Sequence, residues 1–308
     1  MQNIRGRDFL TLQDFTPQEI NLILDTASDL KRETAREAVH RLIQGKTLAM
    51  IFQKPSTRTR VSFEVAMNQL GGHSIYLGWN DLQLGRGEPI SDTAHVLERY
   101  VDGIMARVFS HDDLEEFAEN TKIPVINGLS DLFHPCQILG DLLTIREKRA
   151  DLEGLKLAFL GDGNNVCNSL LIGCSKIGID ISVGIPKGYE PAQGAVGLAK
   201  KNAENSGSKI EVSNSPKVAL KDADIVYTDV WISMGHEKES EKRKKDFTSF
   251  KVTEDLCSVA YENFLFMHCL PREKNEVTDE IFYGPHSIVW DQAENRLHAQ
   301  KALLVLLL

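Results

Sequence analysis

Short apolar runs alternate along the chain with longer stretches whose apolar positions recur every three to four residues. Residues 47–52 (TLAMIF) form a compact apolar block and predict a buried strand. Pro55 ends it, and Ser56 can cap a helix on one face of which Phe63, Ala66, Met67 and Leu70 line up. Gly71 and Gly72 supply its left-handed stop. Upstream, Thr16-Pro17 with Glu19 opens a helix over residues 14–31, with Ile20, Ile23, Leu24 and Ala27 facing a core. Further strands are predicted at 74–77, 103–109, 121–126, 156–160, 180–185, 209–212, 224–229 and 264–267. Helices are predicted from a Ser91 cap to about Val101, at 137–149, at 167–176 and at 193–205, while the tail ALLVLLL reads as the buried end of a docked helix.

Strands and helices alternating at this spacing imply parallel sheets with right-handed crossovers. Two such cycles, split near residues 140–150, give an α/β chain of two doubly wound parallel-sheet domains. Ser56, Arg107, His134, Asn165, Asp229 and Cys269 each follow the carboxyl end of a predicted strand, the edge at which open α/β sheets bind ligands.

Composition changes this picture little but excludes several classes. The chain has 308 residues, 42% hydrophobic and 26% charged, an ordinary globular balance. A net charge of −9 argues against a general nucleic-acid binder, which needs a basic surface. No secretory signal or apolar run of membrane-spanning length is present. Five cysteines without a CxxC pair fit a reduced, cytoplasmic protein. The mixed-sign run KESEKRKK at 238–245 reads as a solvated loop.

The candidate chemistry gathers in a few stretches. Ser56-Thr57-Arg58-Thr59-Arg60 packs hydroxyls, guanidinium groups and free backbone N–H groups into one first helical turn, which suits a phosphate dianion. The same residues also fit a capping serine followed by solvated arginines. Arg107 ends an apolar strand and needs an anion, either a ligand or a structural carboxylate. Gly161-Asp162-Gly163-Asn164-Asn165 lacks the third glycine of a dinucleotide turn, and the next strand ends without an acidic residue for a ribose. His134, Cys136, His268 and Cys269 could also serve a metal site or a cysteine hydrolase, although their spacing matches no common zinc pattern.

Ser56–Arg60 followed by Ser62-Phe63-Glu64 resembles the carbamoyl-phosphate signature of the aspartate and ornithine carbamoyltransferase family, and His134-Pro135-Cys136-Gln137 resembles its His-Pro-x-Gln. Asp229-x-x-x-Ser233-Met234-Gly235 and His268-Cys269-Leu270-Pro271 are similar to the ornithine branch of that family rather than the aspartate branch. The resemblance implies transfer of a carbamoyl group from carbamoyl phosphate to the side-chain amine of L-ornithine, giving citrulline in arginine metabolism, with no metal or organic cofactor. It implies a carbamoyl-phosphate domain at 1–145, completed by a helix at 291–308, and an ornithine domain at 146–290, joined by crossing helices. Ser56, Thr57, Arg58, Thr59, Arg107, His134, Gln137, Cys269, Leu270 and Arg296 would contact carbamoyl phosphate, and Gln83 would reach the same ligand in a neighbouring subunit of a homotrimer or assembly of trimers. Asn165, Asp229, Ser233 and Met234 would hold ornithine, and Arg107, His134, Asp229 and Cys269 would take part in catalysis. A sister transferase for another amine acceptor and a noncatalytic anion-binding module are the remaining alternatives.

Overall fold

The structure is a computed structural model and describes residues 3–232 and 239–308. Two compact units emerge, Met1–Leu143 with Glu294–Leu308, and Thr144–Ala293.

The first unit is built on four parallel strands, β1 (Thr47–Phe52), β2 (His73–Gly78), β3 (Gly103–Arg107) and β4 (Val125–Leu129), in the order β2-β1-β3-β4. Strands β1, β3 and β4 are almost wholly buried, as expected of parallel strands covered on both faces. The helices are α1 (Pro17–Ala35), α2 (Thr57–Gln69), α3 (Ile90–Leu97), α4 (His111–Glu119) and α5 (Pro135–Arg149), the last of which runs on into the second unit. Helix α1 opens with a capping box in which Thr16 and Glu19 satisfy each other's backbone N–H groups. Ser91 is not the cap of α3: Pro89 occupies that position, and Ser91 lies inside the first turn. Strand β4 begins at Val125 rather than Thr121, because Pro124 cannot donate to the ladder.

The second unit carries β5 (Lys156–Leu160), β6 (Asp180–Gly184), β7 (Ile210–Ser213), β8 (Ile225–Thr228) and β9 (Leu265–His268), all parallel, in the order β7-β6-β5-β8-β9. Around them lie α6 (Asn165–Ile177), α7 (Gln193–Ser206), α8 (Pro216–Leu220), α9 (Ser240–Asp246), α10 (Glu254–Cys257) and α11 (Asp279–Phe282). Helix α12 (Val289–Leu307) starts in this unit and ends in the first, where Leu303, Leu304 and Leu307 are buried. In each sheet the strand order reverses beside the first strand of the unit, β1 or β5, which places a topological switch point there.

The charged run does not behave as a solvated loop. Residues 240–246 form α9, and within it Arg243 is 5% exposed. Its Nη1 donates to Asp162 Oδ2 at 2.7 Å and to the Trp231 carbonyl at 3.1 Å. A buried carboxylate 81 residues away therefore decides the fate of this arginine, which charge patterning alone could not reveal.

Candidate active site

The turn after β1 forms as its residues dictate. Ser56 adopts an extended backbone and its Oγ accepts from Thr59 N–H at 3.2 Å, so helix α2 starts at Thr57 with its first amides directed at the carboxyl edge of the sheet. Thr59 is buried, whereas Ser56 and Arg58 are half-buried and Thr57 is exposed. Arg60 leaves this group: its Nε donates to Glu64 at 2.9 Å and its guanidinium lies 3.9 Å from the centre of the Tyr76 ring.

Arg107 is the last residue of β3 and is 7% exposed. The β3–β4 ladder slips here: Ala106 pairs with Asn127, but Arg107 pairs with Leu129, leaving Gly128 as the additional residue. A Cβ at 128 would lie 2.5 Å from Met105 Sδ and 3.2 Å from the Ala106 carbonyl oxygen, so a larger residue here would have to displace the Met105 side chain.

His134 follows β4 and precedes α5, and it is buried. Burial pushes its pKa well below the usual imidazole value, and the positive charges of Arg296, Arg107 and Arg58 push the same way. The imidazole is therefore neutral at physiological pH, and a neutral ring carries an N–H that can donate to a carbonyl oxygen. Behind it, the Ser130–His134 loop is braced by His111, whose Nδ1 lies 2.9 Å from Ser130 Oγ and whose ring packs edge-on against Phe133.

Arg296, on α12, joins the same group. Its Nη1 donates to Gln137 Oε1 at 2.6 Å, and its Nη2 lies 3.5 Å from Thr59 Oγ1. Gly140 permits this approach, since a Cβ there would lie 3.1 Å from Arg296 Cδ. Thr59, Arg58, Arg107, His134, Gln137 and Arg296 thus gather at the carboxyl edge of the first sheet. Gln83 stands apart on a one-turn 3-10 helix, exposed, with no side-chain hydrogen bond among the described residues.

In the second unit the carboxyl edge carries the opposite charge. Asp229 follows β8 and is 5% exposed; its Oδ1 accepts from Cys269 Sγ at 3.0 Å and from Val230 N–H at 2.7 Å, and its Oδ2 accepts from Asn164 Nδ2 at 2.8 Å. Asn164 also caps α6 through Oδ1, which places Asn165 in the first turn of that helix. Gly163 is required by a close passage: a Cβ there would lie 2.3 Å from Pro191 N.

Cys269 follows β9, and Leu270 beyond it holds a left-handed φ of 60° before a cis bond to Pro271. A left-handed backbone is strained for a leucine and persists because its surroundings hold it. Leu270 N–H donates to His268 Nδ1 at 2.9 Å, while His268 Nε2 lies 3.2 Å from Glu276 Oε1, with both side chains fully buried. Ser233 and Met234 lie outside the described residues.

Asp229, His268 and Cys269 offer three metal-ligand atoms within 4.8 Å of one another. Both histidine nitrogens and the Asp229 oxygens are engaged in the hydrogen bonds above, so an ion would have to displace them. Cys136 is no candidate nucleophile: burial pushes its thiol up to about 12, and its Sγ donates to the Asn127 carbonyl. Sequence reasoning missed Asn164, Glu276, Asp162 and Arg243. Asn164 was within reach, because its glycine turn stands out along the chain; the others are fixed by tertiary pairings.

Arginines gathered at the edge of one parallel sheet and a carboxylate at the edge of another fit a two-domain α/β enzyme of the group-transferring kind. The chain belongs to the aspartate/ornithine carbamoyltransferase family: residues 7–147 match its carbamoyl-P binding domain and residues 153–307 its Asp/Orn binding domain. It is 56% identical over 307 residues to an ornithine carbamoyltransferase of Pyrococcus horikoshii, covering 99% of this chain and 97% of the relative. It is 55% identical to the anabolic ornithine carbamoyltransferase of Pyrococcus furiosus, covering 99% of this chain and 98% of the relative. The solved ornithine carbamoyltransferase of P. furiosus superposes with a TM-score of 0.97 over 100% of this chain and 98% of that one. Ornithine transcarbamoylase of Giardia lamblia, 34% identical, superposes with a TM-score of 0.88 over 97% of each chain.

Proposed function

We propose that the chain transfers the carbamoyl group of carbamoyl phosphate to the side-chain amine of L-ornithine, giving L-citrulline and phosphate. The observation that carries this reading is the gathering of Arg58, Arg107 and Arg296 around a buried, neutral His134, all but Arg296 on the stretch matching a carbamoyl-P binding domain. The arginines would neutralise the phosphate, and the first turn of α2 (Ser56, Thr57, Arg58 and Thr59) would cradle it. His134, Arg107 and Thr59 would donate to the carbonyl oxygen, most strongly once it becomes an oxyanion. Residues 1–145 with 291–308 would hold this substrate, and residues 146–290 the amino acid.

Ornithine would sit at the second sheet, its α-ammonium against Asp229 and its α-carboxylate at Asn165, with Ser233 and Met234 completing the contact. Attack forms the N–C bond and breaks the bond from carbon to the phosphate oxygen, and the proton that nitrogen releases in this step leaves on the phosphate. The attacking amine has a lysine-like pKa near 10, so it must shed a proton before it reacts. Cys269 and Asp229, hydrogen-bonded to each other, would accept that proton as a pair, and the Leu270 carbonyl would accept from the carbamoyl NH₂. Asp229 also argues against aspartate as acceptor, because its carboxylate would face the substrate's own carboxylates.

Among the described residues no helix is long and apolar enough to cross a membrane. The five free cysteines support a reducing, cytoplasmic location. Edge strand β2 exposes Ile75 and Tyr76, and Val61, Val96 and Tyr100 are exposed on the same unit. Such apolar side chains would be covered by a second copy in a trimer, with Gln83 reaching that copy's carbamoyl phosphate.

A citrulline assay with both substrates tests the reading, repeated with aspartate, N-acetylornithine and putrescine as acceptors. Citrulline from ornithine and no product from the others supports it; turnover of another acceptor in preference would replace it. Light scattering tests the trimer, and a monomer at assay concentration would overturn that part.

A further inference from the structure

Within the first unit, one buried carboxylate has no role in the reaction just described. Asp141 lies on α5, is 0% exposed, and accepts from Gln137 Nε2 at 2.9 Å from one turn away on the same helix. The other end of the Gln137 amide receives Arg296 Nη1 at 2.6 Å. A guanidinium only donates, so the atom facing Arg296 must be the amide oxygen, and the amide nitrogen must face Asp141. Side-chain amides are often ambiguous by a half-turn, but here a donor on one side and an acceptor on the other fix the orientation.

The orientation has chemical content. A carbonyl oxygen has two lone pairs, and Gln137 Oε1, 2% exposed as a residue, gives one of them to Arg296. The second can accept an N–H from an acyl phosphate bound beside Arg296 and Thr59. A carbamoyl NH₂ supplies that N–H, whereas the methyl of acetyl phosphate leaves a buried acceptor unsatisfied.

We propose that Asp141 is a positioning residue that makes the site selective for a carbamoyl over an acetyl group, by holding the Gln137 amide with its oxygen toward the ligand. The proposal rests on the carbamoyl-phosphate reading above. Asp141 touches no substrate; it acts through Gln137, and the rigid helix carrying both residues keeps the pair in register. Sites that hydrogen-bond one substrate group reject analogues lacking it far better than apolar pockets do.

The test measures, in the full-length enzyme, the KM for carbamoyl phosphate and the inhibition constants of acetyl phosphate and inorganic phosphate, for wild type, Asp141→Ala and Asp141→Asn. In wild type, carbamoyl phosphate binds more tightly than acetyl phosphate. In Asp141→Ala that preference shrinks about tenfold, as expected for one lost buried hydrogen bond, while the phosphate constant stays within about twofold. Asp141→Asn, which keeps an acceptor oxygen, retains an intermediate preference, and it decides the matter should the alanine variant fail to fold. An unchanged preference in the soluble variants, or an equal loss of affinity for carbamoyl, acetyl and inorganic phosphate, overturns the assignment. A wild-type enzyme that makes no citrulline, or that does not distinguish the two acyl phosphates, would instead defeat the functional reading before Asp141 comes into question.

Discussion

The two sheets use one scaffold for opposite electrostatic tasks. At the carboxyl edge of the first, three arginines surround an uncharged imidazole, and the polar atoms are mainly donors. At the same edge of the second, Asp229 gathers a thiol and an amide around a carboxylate. The polarity belongs to side chains at the strand ends rather than to the fold, since both edges present helix N-termini that favour anions. The first site therefore works with its helix dipole, whereas the second works against it: Asn164 occupies the first amides of α6, and Asp229 supplies the negative charge.

The sharpest way to break this comparison is to remove charge from the first site. Arg107→Ala should lower kcat/KM for citrulline formation about 10³-fold, by loss of both phosphate neutralisation and oxyanion stabilisation, while circular dichroism stays native. Asp229→Asn should act on the other substrate, lowering kcat/KM for ornithine by about 10- to 100-fold and leaving carbamoyl-phosphate binding intact, as expected for one charge-assisted contact. Cys269→Ser should reduce kcat about tenfold, with a smaller change in KM for carbamoyl phosphate. An unchanged rate in this variant would remove the proton-accepting role.

The smallest effect distinguishes the two edges by pH. His134 has a folded pKa lowered by burial and by its arginine neighbours, so below the unfolded value of about 6.5 the unfolded chain binds more protons than the native one. The ligand-free protein should therefore lose stability as pH falls from 7 to 5, read as a falling Tm, and His134→Gln should flatten part of that slope. A slope identical in wild type and variant would mean that His134 is not held neutral.

Much of the first site was legible because its residues are contiguous. Ser56, Thr57, Arg58 and Thr59 sit between an apolar strand and a periodic helix, so cap, turn and chemistry coincide in one stretch. Asp229 and Cys269 were legible by position, each just beyond a strand. What could not be read were partnerships set by the tertiary fold. Arg243 sits in a run whose charges suggest solvent until Asp162 meets it, and Asp141 resembles an ordinary helical carboxylate until Arg296 arrives at Gln137 from the end of the chain. Helix α4 also escapes the sequence pattern: it is nine residues long and capped by Ser110, and its apolar stripe is too brief for periodicity to register.

The slipped pairing at Gly128 reaches beyond its own strand. Side chains on a strand alternate between faces, so one surplus residue exchanges inside for outside at Leu129, the last residue of β4, from which the Ser130–His134 loop departs. The segment delivering His134 is thus tuned to a ladder already one step out of phase. In the shifted register the Leu129 carbonyl accepts from Val108 N–H at 2.9 Å, so an engineered mimic of this pocket would need to import the irregularity together with the loop.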